Sequence, residues 1–315
     1  RVIDVHRQCV VKAPKSCRYI ALSYLWGGAS VFKAFRQNFP QLQVENSLSF
    51  ECESLPRIIK DAMYLVAAIG ERYVWIDSIC IIQDDDEDKA LQISAMGGIY
   101  SSALLTVVAG AGSDANAGLL GVHSLKRKQF QHIEIVQGME LVNRMPDLWK
   151  SMDDCPWASR GWTYQERKLS RRLLVFTENQ AYFNCEHATY REDQHLEAEE
   201  LQPDLLRWHQ AERDHRLLFV KKSNFEVYAR EVKQYTSRLI SYDSDALNAF
   251  AGISQLLQTS FRGSLIFGIP DTAFDAGLLW YPRGRLTRRR DPENGSPIFP
   301  SWSWAGWAGP VTYDD

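Results

Sequence analysis

The sequence predicts an α/β protein built on an open, mostly parallel sheet, with a packed, mainly helical C-terminal part. Three observations carry that expectation. Apolar, β-prone runs recur as "YIALSYL", "RYVWIDSICII" and "LLTVVAGA"; helical periodicity fills the gaps between them; and polar residues or glycines stand near the ends of the runs. Strands that alternate with helical patterns imply parallel βαβ units.

The first run, Tyr19 to Leu25, is apolar on both alternating faces, which suits a strand covered on both sides, and Gly27-Gly28 end it. A loop without clear period follows from Ala29 to Glu53. Ser54 can then cap a helix and Pro56 suits its first turn, while Ile58, Ile59, Ala62, Met63, Leu65, Val66 and Ile69 recur at helical spacing until Gly70. The second run is interrupted in its middle by Asp77 and Ser78. An acidic stretch, Asp84 to Asp88, leads into "KALQISAMGGIYSSA", read as a helix despite Gly97-Gly98, and so to the third run.

Beyond Gly121, "HIEIVQGMELV" reads as a hairpin. The segment "CPWASRGWTYQERKLSRRLLVFTENQAYFNCE" reads as a turn, a short helix from Ser159 to Leu169 and two further strands. From Tyr190 onward the pattern is mainly helical, in "QPDLLRWHQAERDHRLLFV" and "FEVYAREVKQYTSRLISYDSDALNAFAGISQLLQT", with Asp243 or Ser244 as caps. The tail "FPSWSWAGWAGP" is too rich in proline and glycine for a helix and reads as an aromatic clasp over the core. The expected division is an α/β domain over 1–188 and a helical extension over 189–315.

Composition bounds the function. The 315 residues are 45% hydrophobic and 24% charged, which fits a folded globular protein and excludes disordered, collagen-like and coiled-coil classes. A net charge of -3 gives no general attraction to nucleic acid or to an anionic membrane, so neither is an expected partner. No apolar run approaches the length of a membrane helix and the start lacks a signal-peptide core, so the expected setting is cytoplasmic. The six cysteines form no C-x-x-C pair, the histidines no H-E-x-x-H, and the acidic run lacks EF-hand spacing; no metal or cofactor is expected.

Open α/β sheets bind ligands beyond the carboxyl ends of their strands. Ser23, Tyr24, Trp26 and Gly27 fall at the end of the first strand and Asp77 on the second, so parallel neighbours would bring them to one rim. Alternation allows at most one of Ser23 and Tyr24 to face a given pocket. Asp77, a carboxylate in an apolar run, needs a partner: Arg57, Arg160 or a ligand. Trp162 and Glu166 stand four apart and share a helix face. Each has a structural alternative. The tryptophans, among ten in the chain, are also core residues in waiting, and Glu166 could pair with Arg167, Arg171 or Arg172 on a solvated face. The basic run "RGRLTRRR", Arg283 to Arg290, reads as a surface loop or a contact for phosphate or a partner.

Four ordered blocks, "YIALSYLWGG", "LPRIIKDAMYLVAAIGERYVWIDSICIIQDDDED", "MGGIYSSALLTVVAGAGSDANAGLLG" and "RGWTYQER", resemble the fungal heterokaryon-incompatibility (HET) domain. "YTSRLISYDSDALNAFAGI", "GLLWYP" and "PSWSWAGW" are similar to segments that follow it in HET-domain proteins. The resemblance implies a role in fungal non-self recognition and cell death. It also implies a distant likeness to the Toll/interleukin-receptor (TIR) domain, a flavodoxin-like fold in which some members cleave NAD. Those enzymes carry Trp-Cys-x-x-Glu on a helix, and Trp162-Thr-Tyr-Gln-Glu166 keeps the Trp-to-Glu spacing. Thr163 stands where the Cys is usual, and Arg160 where a serine is common. The resemblance thus implies Glu166 as catalytic carboxylate and a substrate site from Ser23, Tyr24, Trp26, Gly27, Asp77, Arg160 and Trp162, with NAD as substrate rather than cofactor. Its alternatives are a non-enzymatic, oligomerising death-signalling module, acting through self-association or a partner domain, and a scaffold turned to other small-metabolite chemistry.

Overall fold

The computed structural model describes residues 1–27, 32–127, 131–193, 225–261 and 263–313. The chain divides into two compact units. The first comprises Arg1–Gln92, Ser102–Trp157 and Ser170–Asp214; the second comprises Ile93–Ser101, Ala158–Leu169 and His215–Asp315.

The first unit is organised by an eight-stranded sheet. Its strands are β1 (Val2–Asp4), β2 (Cys9–Val11), β3 (Ile20–Ser23), β4 (Tyr73–Trp75), β5 (Leu105–Ala109), β8 (Leu173–Phe176), β9 (Ala181–Asn184) and β10 (Thr189–Arg191); β6 (Ile133–Val136) and β7 (Met139–Val142) form a separate hairpin. The order is β10-β9-β8-β5-β3-β4-β1-β2. The four central strands are parallel, and the outer ones are antiparallel. Taken in chain order, the parallel strands lie 2-1-3-4, the flavodoxin-like arrangement that leaves a switch point beyond β3 and β5. Every residue of β3 and of β5 is buried, as their two-sided apolar sequences require.

The helix Arg57–Ala68 connects β3 to β4 and buries Ile58, Ile59, Ala62, Met63 and Val66. Each buried aliphatic side chain contributes about 1.5–3 kcal/mol. Its N-cap is Pro56, which makes no side-chain cap bond; Ser54 meets the Cys52 thiol instead. In the β6–β7 hairpin, Gln137 (φ 52°) and Gly138 (φ 80°) supply the two positive φ angles of a type I′ turn.

The second apolar run departs from expectation. It is a strand only through Trp75, and Asp77–Cys80 is a single helical turn. The Asp77 carboxylate accepts the N–H of Ser78 at 2.7 Å and stands in the first turn, where negative charge is favourable, so it supports the turn that it would have interrupted as a strand residue. A second departure is β10: Thr189–Arg191 pairs with β9 and extends the sheet where helix was expected from Tyr190. Nothing in the sequence announces β1 and β2, whose three residues each give too short an alternation to register. "QPDLLRWHQAERDHRLLFV" lies outside the described residues.

In the second unit, Ile93–Ser101 comes from the helix Asp86–Ser102, which continues through Gly97-Gly98 as expected. The short helix is Trp162–Leu169, preceded by a 3-10 turn at Pro156–Ser159. Helices Phe225–Thr236 and Ala251–Phe261 follow. Asp243 does not cap; Tyr242 holds that place, and Asp243 pairs with Arg289 at 2.6 Å. Arg288 donates to the Gly306 carbonyl at 2.7 Å and lies over the Trp307 ring. Part of the basic run is therefore an internal strut. The tail holds a 3-10 turn, Trp304–Gly306, and a two-residue strand, Trp307–Ala308, paired with Thr287–Arg288; Trp304 is buried, its indole N–H on Tyr228 Oη at 3.0 Å and its ring edge-on to Tyr235 and Phe250.

Candidate functional site

The carboxyl ends of β3 and β4 adjoin, because Ala21 pairs with Trp75 in parallel register. Of the residues expected there, two are committed to the interior. Ser23 Oγ accepts the indole N–H of Trp157 at 2.7 Å, and the Tyr24 hydroxyl donates to Ser78 Oγ at 2.8 Å; both residues are buried. Trp26 and Asp77 are half-buried. The Trp26 indole N–H donates to the Asp77 carboxylate at 3.0 and 3.2 Å, and the Lys33 ammonium lies 4.7 Å from the centre of the indole. The partner of Asp77 is thus Trp26 together with the Ser78 N–H, while Arg57 pairs with Asp61 at 3.6 Å. Gly27 has φ +69°, and a Cβ there would lie 2.3 Å from Asp114 Cβ, so both conformation and space require glycine.

The arrangement is an aromatic face with a cation on one side and a carboxylate fixed at its edge. A carboxylate held by an indole N–H retains acceptor capacity, and the indole can stack on a planar ring. Cys80, in the same helical turn as Asp77, is fully buried and its thiol is pushed up to about 11 by desolvation, so it stays protonated and is no nucleophile.

Glu166, Trp162 and Arg160 belong to the second unit. Glu166 is 5% exposed, so its helix face is not solvated. Trp162 is half-buried and its indole N–H points to Asp245 at 3.4 Å. Arg160 contributes its carbonyl, which accepts from Thr163 Oγ1 at 2.9 Å and from the Arg238 guanidinium at 3.2 Å. The strap is closed by backbone bonds from Leu239 to Ser159 and from Gly161 to Leu239, both 2.7 Å.

Sequence reasoning missed what holds this helix. Glu231 is fully buried and accepts the Tyr164 hydroxyl at 2.7 Å, with the Lys168 ammonium 3.3 Å away. Burial raises the Tyr164 hydroxyl well above its ordinary value, and the Glu231 charge adds to this. A signal was present: Glu231 falls in the buried stripe of Val227, Tyr228, Val232 and Tyr235, where an acid needs a buried cation. Lys33 carried no comparable signal, since its loop has no period.

Residues 19–166 match the family profile described as Heterokaryon incompatibility protein (HET). That stretch of the chain is a HET-family region. The chain is 35% identical over 123 residues to Heterokaryon incompatibility protein 6, OR allele, of Neurospora crassa, a match that covers 34% of this chain and 18% of that relative. The chain therefore spans under a fifth of the length of that curated HET relative. No solved structure matches it. The matched region ends at Glu166 and includes β3, β4, β5 and the Trp26–Asp77 rim. Among the described residues, no helix is long and apolar enough to cross a membrane.

Proposed function

We propose that this chain acts in fungal non-self recognition leading to cell death, as an enzyme that hydrolyses the nicotinamide–ribose bond of NAD. The recognition role rests on the family and on the name of the Neurospora relative. The observation that carries the chemistry is Glu166, a buried carboxylate four residues after Trp162 on a helix. In the reaction, the bond from ribose C1′ to the pyridinium nitrogen breaks and its electron pair leaves with neutral nicotinamide. Water adds its oxygen to C1′ and releases a proton to solvent. The ribose passes through an oxocarbenium-like state, which the Glu166 carboxylate stabilises; the leaving group is already cationic, so one carboxylate is enough. Trp162 offers a stacking surface on the same helix.

The test is release of nicotinamide from NAD by wild type and Glu166→Gln over a range of protein concentrations. Loss of at least about 100-fold in kcat is expected on removing a carboxylate that stabilises developing charge. Equal release by both proteins removes Glu166 from the reaction. A second reading has its own observation. The β6–β7 hairpin exposes Ile133, Ile135, Val136, Met139, Leu141 and Val142. Such a surface suits a non-enzymatic module that works by self-association. No release at any concentration, together with concentration-dependent assembly, favours that reading.

A further inference from the structure

The first unit contains a concave site that none of the rim residues Trp26, Gly27 and Asp77 lines. It is a cavity of about 510 Å³ whose walls come from Gly121 to Arg127, from Asn179 and Gln180, and from Glu192 and Asp193, with Met145 beneath. These segments follow β5, β8 and β10, and β10 runs parallel to β8 because each is antiparallel to β9. The walls from Asn179–Gln180 and from Glu192–Asp193 therefore stand directly at the carboxyl ends of β8 and β10, where open α/β folds take ligands, and the volume suits a small metabolite.

Arg127 is the fixed point of this cavity. Its guanidinium lies against Gly121, where a Cβ would come within 2.6 Å of a guanidinium nitrogen, and its side chain is only 16% exposed. Its Nε has no hydrogen-bond partner among the described residues. Its Nη1 is paired with Glu192 at 2.6 Å. Glu192 is the less committed member: its side chain is 50% exposed, and it shares its carboxylate with the N–H of Ala181 at 2.9 Å. Lys126 adds a second cation to the wall, Asn179 an amide, and Leu125 with Met145 an apolar surface for the body of a ligand. A guanidinium held rigidly in a cavity, met by a half-exposed carboxylate, is an oxyanion site with an internal occupant.

We propose that this cavity binds the oxyanion head, phosphate or carboxylate, of a small metabolite on Arg127, and that Glu192 is the group such an oxyanion displaces. The full chain is titrated calorimetrically at low ionic strength with two probes, inorganic phosphate and succinate. Saturable binding of at least one is expected, and the tighter of the two identifies a phosphate or a carboxylate ligand. Arg127→Gln should weaken it at least about ten-fold, the value of a charge-assisted contact. Glu192→Gln should tighten it about three-fold by removing an exposed competing pair. Glu192→Gln leaves the buried cavity wall in place, so it reports even if Arg127→Gln misfolds. Failure of both probes to bind wild type and Glu192→Gln overturns the proposal. So does affinity for the preferred probe that is indifferent to either substitution. The result is independent of NAD cleavage, because neither residue belongs to the rim or to the Glu166 helix.

Discussion

Gly97 and Gly98 are adjacent in one helix and should respond to alanine in opposite directions. Alanine raises helix stability over glycine by about 1 kcal/mol wherever its methyl has room. Gly98 is exposed, and a methyl group there would meet no described atom within 4 Å, so Gly98→Ala should stabilise by about that amount. Gly97 is buried, and its methyl would lie 2.9 Å from Gly252 Cα and 3.3 Å from Leu169 Cδ1. Backbone cannot rotate away as a side chain can, so the two helices must part by roughly 0.5–1 Å to restore ordinary contact. Overpacking of that kind costs about 1–3 kcal/mol, which cancels or exceeds the propensity gain. The two variants should therefore differ by about 1–3 kcal/mol, with Gly97→Ala the less stable. At about 2–4 °C per kcal/mol, thermal unfolding separates them by several degrees. Gly252→Ala, whose methyl would lie 2.5 Å from Leu169 Cδ1 and 2.9 Å from Gly97 Cα, should resemble Gly97→Ala. If Gly97→Ala proves as stabilising as Gly98→Ala, the close approach of the two helices at this crossing is wrong.

Three further outcomes are expected. Glu231→Gln should cost about 1.5–3 kcal/mol in denaturant unfolding, because it removes the buried carboxylate that faces the Lys168 ammonium and the Tyr164 hydroxyl, whereas a paired Lys168→Met, Glu231→Leu change should recover part of the loss. Asp4 and Asp61 should show opposite pH dependence. Burial pushes the Asp4 carboxyl up, but the Arg72 guanidinium and the N–H groups of Arg7 and His6 outweigh it and hold the value below the ordinary one. Asp4 therefore stabilises the fold above the ordinary carboxylate range and loses that contribution as pH falls through its lowered value. Asp61 is raised by burial, against the N–H of Leu119 and the Arg57 charge, so its contribution is present at low pH and lost as pH rises through the raised value. Raising the pH from about 3 to 7 should make Asp4→Asn progressively worse than wild type and move Asp61→Asn in the variant's favour. Trp26→Phe, which keeps a ring but loses the N–H to Asp77, should change stability by under about 1 kcal/mol in denaturant unfolding, since the site is half-exposed.

The parts of the fold that could be read in the sequence are those whose burial is two-sided or strictly periodic. β3 and β5 are apolar on both faces because helices and neighbouring strands leave them no solvent, and the helix Arg57–Ala68 shows its buried stripe residue by residue. The misreadings cluster where an apolar run is too short for its period to declare itself. Ile76 to Ile81 is apolar enough for a strand, yet Asp77–Cys80 within it is one helical turn, and only the Asp77 carboxylate in its first turn distinguishes the two. β10, at three residues, is decided by its partner β9 and not by itself.

The rim narrows for a related reason. Serine and tyrosine at a strand end look like ligand groups because burying them costs free energy, yet the fold itself can supply the partner. Ser23 has Trp157, more than a hundred residues away in sequence, and Tyr24 has Ser78, so neither needs a ligand to satisfy it. Trp26 and Asp77 meet each other at a half-exposed place, where water or a ligand can compete. A polar group at a sheet's carboxyl edge is thus a candidate for binding in proportion to how replaceable its present partner is. By that criterion Trp26 and Asp77 outrank Ser23 and Tyr24, and the half-exposed Glu192 on Arg127 belongs in the same class.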